Sequence, residues 1–210
     1  MSEIVSLVRQ LREELRLQAD KQDSDAAESA NEYTPIPASS QAIETVSQRY
    51  HLPAAYQEFL RALGRRGLAI LPGPFQELII YAAPELSRAQ VGFRGPRLGD
   101  DAFVAPHGWR KSWVVIGFDA GDPYFLDTTK TLPNGDSPIW TAMHGTGTWE
   151  PLLAASSLTQ FLDILRVWAR IVVSHHDKQN PDEPLDDAHL RRLTSEINQI
   201  DPAVADHWTI

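Results

Sequence analysis

The sequence predicts an α+β fold, with helices toward both ends and short strands between them, and three observations carry that prediction. Apolar residues recur at three- and four-residue spacings before residue 64 and after residue 157. Between those stretches they come as short runs punctuated by proline and glycine. Two of the gaps between runs hold the residues of tight turns.

In chain order, Ile4, Leu7, Val8, Leu11 and Leu15 lie on one stripe of an amphipathic helix over residues 4–17. Residues 20–32 turn to Asp, Lys, Gln, Ser, Ala and Glu, and Pro35 and Pro37 follow, which reads as a linker. Three fates are open to the stripe: docking back across that tether, pairing with a second copy as a homodimer, or binding another molecule. Ser39 or Ser40 offers an N-cap for a second helix bearing Ile43, Val46 and Tyr50 and ending near His51. Pro53 suits the first helical position of a third, whose stripe is Tyr56, Phe59, Leu60 and Leu63 and whose C-cap is Gly64.

Residues 68–71, 78–82, 113–118, 124–127 and 139–143 read as strands. Asp119-Ala120-Gly121-Asp122 closes the third and fourth into an antiparallel hairpin, and Pro133-Asn134-Gly135-Asp136 turns the fourth into the fifth, so three strands form a meander. Residues 157–173 return to helical spacing, with Leu158, Phe161, Leu162, Leu165, Trp168, Ala169 and Val172 on a face broad enough to cover a sheet. A polar stretch over residues 177–187 with two prolines precedes a last helix from about Ala188, carrying Leu190, Leu193, Ile197 and Ile200. The expected organisation is a helix and linker at 1–32, a core domain at 33–174 and a helical extension at 175–210.

Composition narrows the function classes. Cysteine is absent, which removes disulfides, thiolate metal sites and a cysteine nucleophile. The first ten residues interleave charged and apolar side chains, unlike a secretion signal, and no apolar run approaches the roughly 20 residues that span a bilayer. The expected setting is the cytoplasm, away from membranes. A net charge of -9 lacks the basic footprint of a nucleic-acid binder. The charge is uneven: residues 61–111 hold eight Arg/Lys against four Asp/Glu, whereas residues 113–150 hold one against five. An acidic face for a basic partner is the functional reading of that asymmetry, and ordinary variation between solvated faces is the plainer one.

The sequence has no Gly-x-Ser-x-Gly elbow, Walker loop, dinucleotide fingerprint, His-Glu-x-x-His or EF-hand loop. Three features remain. Asp119, Asp122 and Asp127 put three carboxylates within nine residues, enough in principle for a hard cation, although Asp beside a turn commonly serves the backbone. His144-Gly145-Thr146-Gly147-Thr148 resembles an anion-binding nest, but Trp149, Glu150 and Pro151 follow it in place of a helix start, so a hairpin loop fits better. His175 and His176, beside Asp177, point to different sides of a helix and make a poor metal pair. His51, His107, His189 and His207 are isolated. No cofactor or metal is called for.

The order of three segments resembles the SUKH superfamily, which includes the fungal cell-wall assembly regulator and many bacterial immunity proteins. They are Leu52-Pro53-Ala54-Ala55-Tyr56-Gln57-Glu58-Phe59-Leu60, the hairpin Ile116-Gly117-Phe118-Asp119-Ala120-Gly121-Asp122-Pro123-Tyr124-Phe125-Leu126-Asp127, and Leu158-Thr159-Gln160-Phe161-Leu162. The likeness spans roughly residues 40–172. It departs at Gly64-Arg65-Arg66-Gly67, which stands where the family often has Gly-Gly, and in the long basic stretch 88–111. The resemblance implies a central, mainly antiparallel sheet packed by helices and a role in protein binding without catalysis.

Bacterial members of that family often neutralise a toxin domain, frequently a nuclease, and an acidic protein would be steered onto such a basic target. Asp119, Asp122, Trp140, Trp149 and Glu150 are the candidate partner-binding residues, as acids and aromatics expected at the surface near the hairpins. The alternatives are a scaffold or regulatory protein of the cell-wall assembly regulator type, and a metal-dependent enzyme using Asp119, Asp122 and Asp127 with His144.

Overall fold

The computed structural model describes residues 2–22, 36–71, 73–74, 76–95, 106–175 and 185–208. The helices are α1 (Glu3–Gln22), α2 (Ser40–Tyr50), α3 (Ala54–Leu63), α4 (Ala83–Ala89), α5 (Leu158–Trp168) and α6 (Asp187–Ile200). The strands are β1 (Leu68–Ile70), β2 (Leu78–Ile80), β3 (Trp113–Asp119), β4 (Asp122–Asp127), β5 (Ile139–Thr141) and β6 (Leu152–Ala155). All six strands form one antiparallel meander in chain order, β1-β2-β3-β4-β5-β6. The fold is α+β, as the sequence predicts.

The expected caps are in place. Ser39 accepts a hydrogen bond from the Ala42 amide at 3.0 Å at the start of α2, and His51 ends that helix in the left-handed conformation. Pro53 sits one position earlier than expected, as the N-cap of α3, and Gly64 ends that helix. The β3–β4 turn puts both central residues at positive φ, Ala120 at 51° and Gly121 at 104°, the geometry that matches strand twist. Asp119 and Asp122 face each other across it.

Three expectations need correction. The meander has six strands where three adjacent ones were expected: β1 and β2 extend it on the β3 side, and the short run Leu152–Ala155 follows an exposed glycine-rich loop and pairs back on β5. The fifth strand is shorter than expected, ending at Thr141. Between β2 and β3 the chain makes α4, whose entry is fixed by the Glu85 carboxylate accepting from the Ala82 amide at 3.1 Å. The helix expected over 157–173 is α5 continued by a π-turn at Ala169–Val173. The linker expected at 20–32 lies outside the described residues beyond Gln22, as does most of the stretch 177–187.

Of the fates open to the α1 stripe, docking back is the one observed. Val8, Leu11 and Leu15 are buried, and α1 packs against α3, α5 and the π-turn. Arg12, also buried, donates to the Leu63 carbonyl at 2.5 Å, bringing a cation to the negative end of the α3 dipole. A homodimer through α1 would have to use another side of the helix, near the exposed Leu17. At the other end of the chain, Leu193 and Ile197 of α6 and Trp208 of a 3-10 turn (Ala205–Trp208) join the same hydrophobic cluster.

The helices therefore cover one face of the sheet. Val114, Ile116, Tyr124, Leu126 and Ile139 point into the cluster that includes Tyr56, Phe161, Leu165 and Trp208. Residues of opposite pleat belong to a second cluster of Phe93, Trp109, Trp113, Val115, Phe125 and Ala142, with Phe118, Trp140 and Trp149 packed on it.

Candidate protein-interaction face

The three carboxylates singled out in the sequence do not converge on an open site. Asp119 and Asp122 are 0% and 5% exposed, so they are not the surface acids that the hairpin position suggested. Asp119 accepts from the Gln76 amide at 2.9 Å, pinning the segment before β2 to the hairpin. One oxygen of Asp122 accepts from the backbone amide of His144 at 2.7 Å and lies 2.7 Å from its ring Nδ1. The carboxylate is the acceptor, so Nδ1 carries the proton in this tautomer.

That pair fixes the root of the β5–β6 loop against the β3–β4 turn. Gly121 is required there twice over, by its φ and because a Cβ would sit 2.9 Å from the His144 ring. Asp127 accepts from the Thr129 amide at 3.0 Å, the Thr129 hydroxyl at 2.6 Å and the Trp113 indole at 3.3 Å. Burial alone would raise its carboxyl pKa, but the hydrogen bonds from Thr129, Ser112 and Trp113 together hold it below the ordinary carboxylate range.

Two further carboxylates, missed in the sequence, do similar work. Asp136 accepts from the amides of Leu158 at 2.9 Å and Thr159 at 3.2 Å, satisfying the N-terminus of α5 from the β4–β5 turn. Asp201 accepts from the Ser156 amide at 2.6 Å and ties the end of α6 to β6. The signal for Asp136 was the Asn-Gly-Asp turn itself, whose structural role reaches beyond the turn. Among the described residues, no group of three His, Asp or Glu side chains is placed to hold a metal ion. His175 and His189 have ring centroids 4.5 Å apart, with His189 Nδ1 2.8 Å from Asp186, while His176 lies outside the described residues.

Burial pushes the Tyr124 phenol pKa up, with the nearby charges of Asp119 and Asp122 adding to the shift. The phenol is therefore neutral at physiological pH and is no general base. The hairpin carboxylates, each bonded to backbone or side-chain donors, order loops and cap an element.

The opposite face of the sheet is packed with aromatic rings. Trp109 stacks edge-on against Trp113 at 5.2 Å and Trp149 at 5.8 Å, and Phe93 lies 4.6 Å from Trp109 and 5.4 Å from Trp149. Phe93 and Trp109 come from the basic stretch after α4, where aromatics inside a Gly/Pro-rich segment were the available sequence signal. Trp140 and Trp149, both candidates, are half-buried members of this cluster, and Glu150 is exposed beside them.

A cavity of about 290 Å³ opens where the loop meets the cluster, lined by Met143, Trp149, His107 and the backbone of Gly145 to Thr148. Met143 is 53% exposed. The amide of Trp149 donates to the carbonyl of His107 at 2.9 Å, so a histidine that looked isolated in the sequence forms the far wall.

The domain is thus an α+β fold on a six-stranded meander whose hairpin acids are bonded internally and whose second sheet face is packed with aromatic rings. The family follows from the sequence match. Residues 37–164 match the model of the SMI1 / KNR4 family (SUKH-1), well over half of the chain, and the protein belongs to that family. The match runs from α2 into α5 and leaves α1 and α6 outside it. A search of curated proteins returned no match. No helix among the described residues is long and apolar enough to cross a membrane.

Proposed function

We propose that this chain is a non-catalytic binding protein of the immunity type, which neutralises a basic toxin domain by masking it with the aromatic face and the β5–β6 loop. The observation that carries the reading is the asymmetry of the sheet. One face is covered by helices, and the other carries a buried aromatic cluster edged by the half-buried Trp140 and Trp149 and by the exposed Met143 and Glu150. Membership of the SUKH-1 family supports protein binding over turnover.

The net charge of -9 supports a basic partner and would raise its association rate at low salt. Asp119 and Asp122 contribute field and loop order in this reading, whereas Trp140, Trp149 and Glu150 make contact. Masking without turnover needs an interface of ordinary size, about 1,200–2,000 Å² in total.

The test is capture with tagged full-length protein from the source cell's lysate at low and moderate salt, followed by co-expression with the captured protein. A stoichiometric basic partner whose association slows with salt and whose toxicity is suppressed on co-expression supports the proposal. A partner that is neither basic nor toxic sinks it and favours the regulatory alternative. Deleting residues 1–32 is a poor way to separate the two, because it removes the core residues Val8, Leu11 and Leu15.

A further inference from the structure

In the sequence His175 has His176 as its neighbour and His189 stands alone, whereas the fold brings His175 to His189. His175 follows the π-turn that prolongs α5, and His189 lies in the first turn of α6. An ion pair between Arg170 of the π-turn and Glu196 of α6 ties the two elements together. The imidazole centroids are 4.5 Å apart with the rings tilted by 45°, and both rings are partly exposed.

The surroundings of His189 prepare it as a ligand. Asp186, the N-cap of α6, accepts from the amides of Ala188 and His189 at 2.9 and 2.8 Å, and the same oxygen lies 2.8 Å from His189 Nδ1. Nδ1 is therefore occupied as a donor to the carboxylate, and Nε2 is left to bind an ion, which is how a carboxylate orients a metal-binding histidine. The ring separation also selects a geometry. With metal–nitrogen bonds of about 2.0 Å, two imidazoles sharing an ion at a right angle have centroids about 4.5 Å apart, against about 5.2 Å at the tetrahedral angle.

We propose that His175 and His189 form a surface site for a divalent cation of right-angled coordination, Cu²⁺ or Ni²⁺, which fastens the start of α6 to the segment that prolongs α5. Imidazole suits both ions, and Cu²⁺ binds the more tightly of the two. The histidines supply two adjacent positions and water completes the shell, in keeping with the absence of a group of three His, Asp or Glu placed for a metal among the described residues. This inference does not rest on the protein-binding reading.

The probe is CuCl2, titrated into the full-length protein in a buffer that does not chelate copper and followed by calorimetry and EPR spectroscopy. The expected result is one tightest copper with the axial spectrum of a tetragonal ion and two nitrogen ligands. His175→Ala and His189→Ala should each weaken that copper at least about tenfold and remove one nitrogen, while His176→Ala changes its affinity less than about twofold. Asp186→Asn keeps a good N-cap residue and should weaken binding about tenfold by taking the charge from behind His189. Tm without copper checks that each variant is folded, and His175→Gln or His189→Gln replaces an alanine variant that melts early.

Copper bound equally well without His175 or without His189 overturns the proposal, as does dependence on His176 in place of His175. Saturation that needs millimolar copper also overturns it, leaving the two rings as a plain aromatic contact.

Discussion

The two faces of the sheet are closed by different means. On the helical face, α1, α3, α5 and α6 bring aliphatic side chains, together with Tyr124, Phe161 and Trp208, into one continuous cluster. On the other face, Phe93, Trp109 and Trp149 come from irregular segments, and the indoles of Trp113 and Trp140 each have one of the chain's own cations against them. A helix buries a stripe completely and leaves nothing to bind. A set of rings from loops leaves gaps, and one of those gaps is the cavity beside Trp149.

If stability resides in the first face and recognition in the second, substitutions should separate by face. The largest effect is expected at Leu11, fully buried in α1 although it lies before the segment matched to the family. Leu11→Ala should cost about 2–5 kcal/mol and lower Tm by roughly 4–20 °C, read by calorimetry. A loss near zero would mean that α1 is a dispensable appendage and would break the comparison.

An intermediate effect is expected at His207, packed edge-on against Trp208 at the rim of the helical face. Burial lowers its pKa from the ordinary value of about 6.5, so the folded state favours the neutral ring. The stability it contributes is complete above about pH 6.5 and is lost as pH falls through the lowered folded value. Tm should therefore drop between about pH 7.5 and pH 5.5, and His207→Gln should flatten that slope. An identical slope in the variant would remove His207 from the account.

The smallest effect is expected at Lys130, on the aromatic face. Lys130→Ala should change stability by no more than about 1 kcal/mol, because an exposed cation over an indole contributes little. A cost comparable to that of Leu11→Ala would show that the aromatic face is as much a structural core as the helical one.

Helical stripes were legible because 3.6-residue periodicity is a local signal: every apolar residue named for α1, α2 and α3 is buried. Turn chemistry located the β3–β4 and β4–β5 connections for the same reason. β6 escaped because Leu152–Ala155 has no alternation of its own and is a strand only by pairing with β5. The candidate site divided along the same line. Trp140, Trp149 and Glu150 could be nominated from their residue types, but the destinations of the Asp119 and Asp122 carboxylates, Gln76 and His144, are 43 and 22 residues away. No local pattern encodes those pairings. The role of His107 likewise depends on a backbone contact with Trp149 across the fold.

The docking of α1 on α5 also has a meaning in time. About 150 residues separate Leu11 from its neighbours in α5, so α1 leaves the ribosome long before the surface that buries it. At about 5–20 residues per second, the wait is roughly 8–30 s. Throughout that interval the meander can assemble strand by strand, each pairing with the one just made, while the α1 stripe has only α3 to pack against. Until α5 emerges, nascent chains of this protein therefore carry α1 with part of its apolar stripe uncovered, and synthesis arrested before residue 158 leaves them in that state.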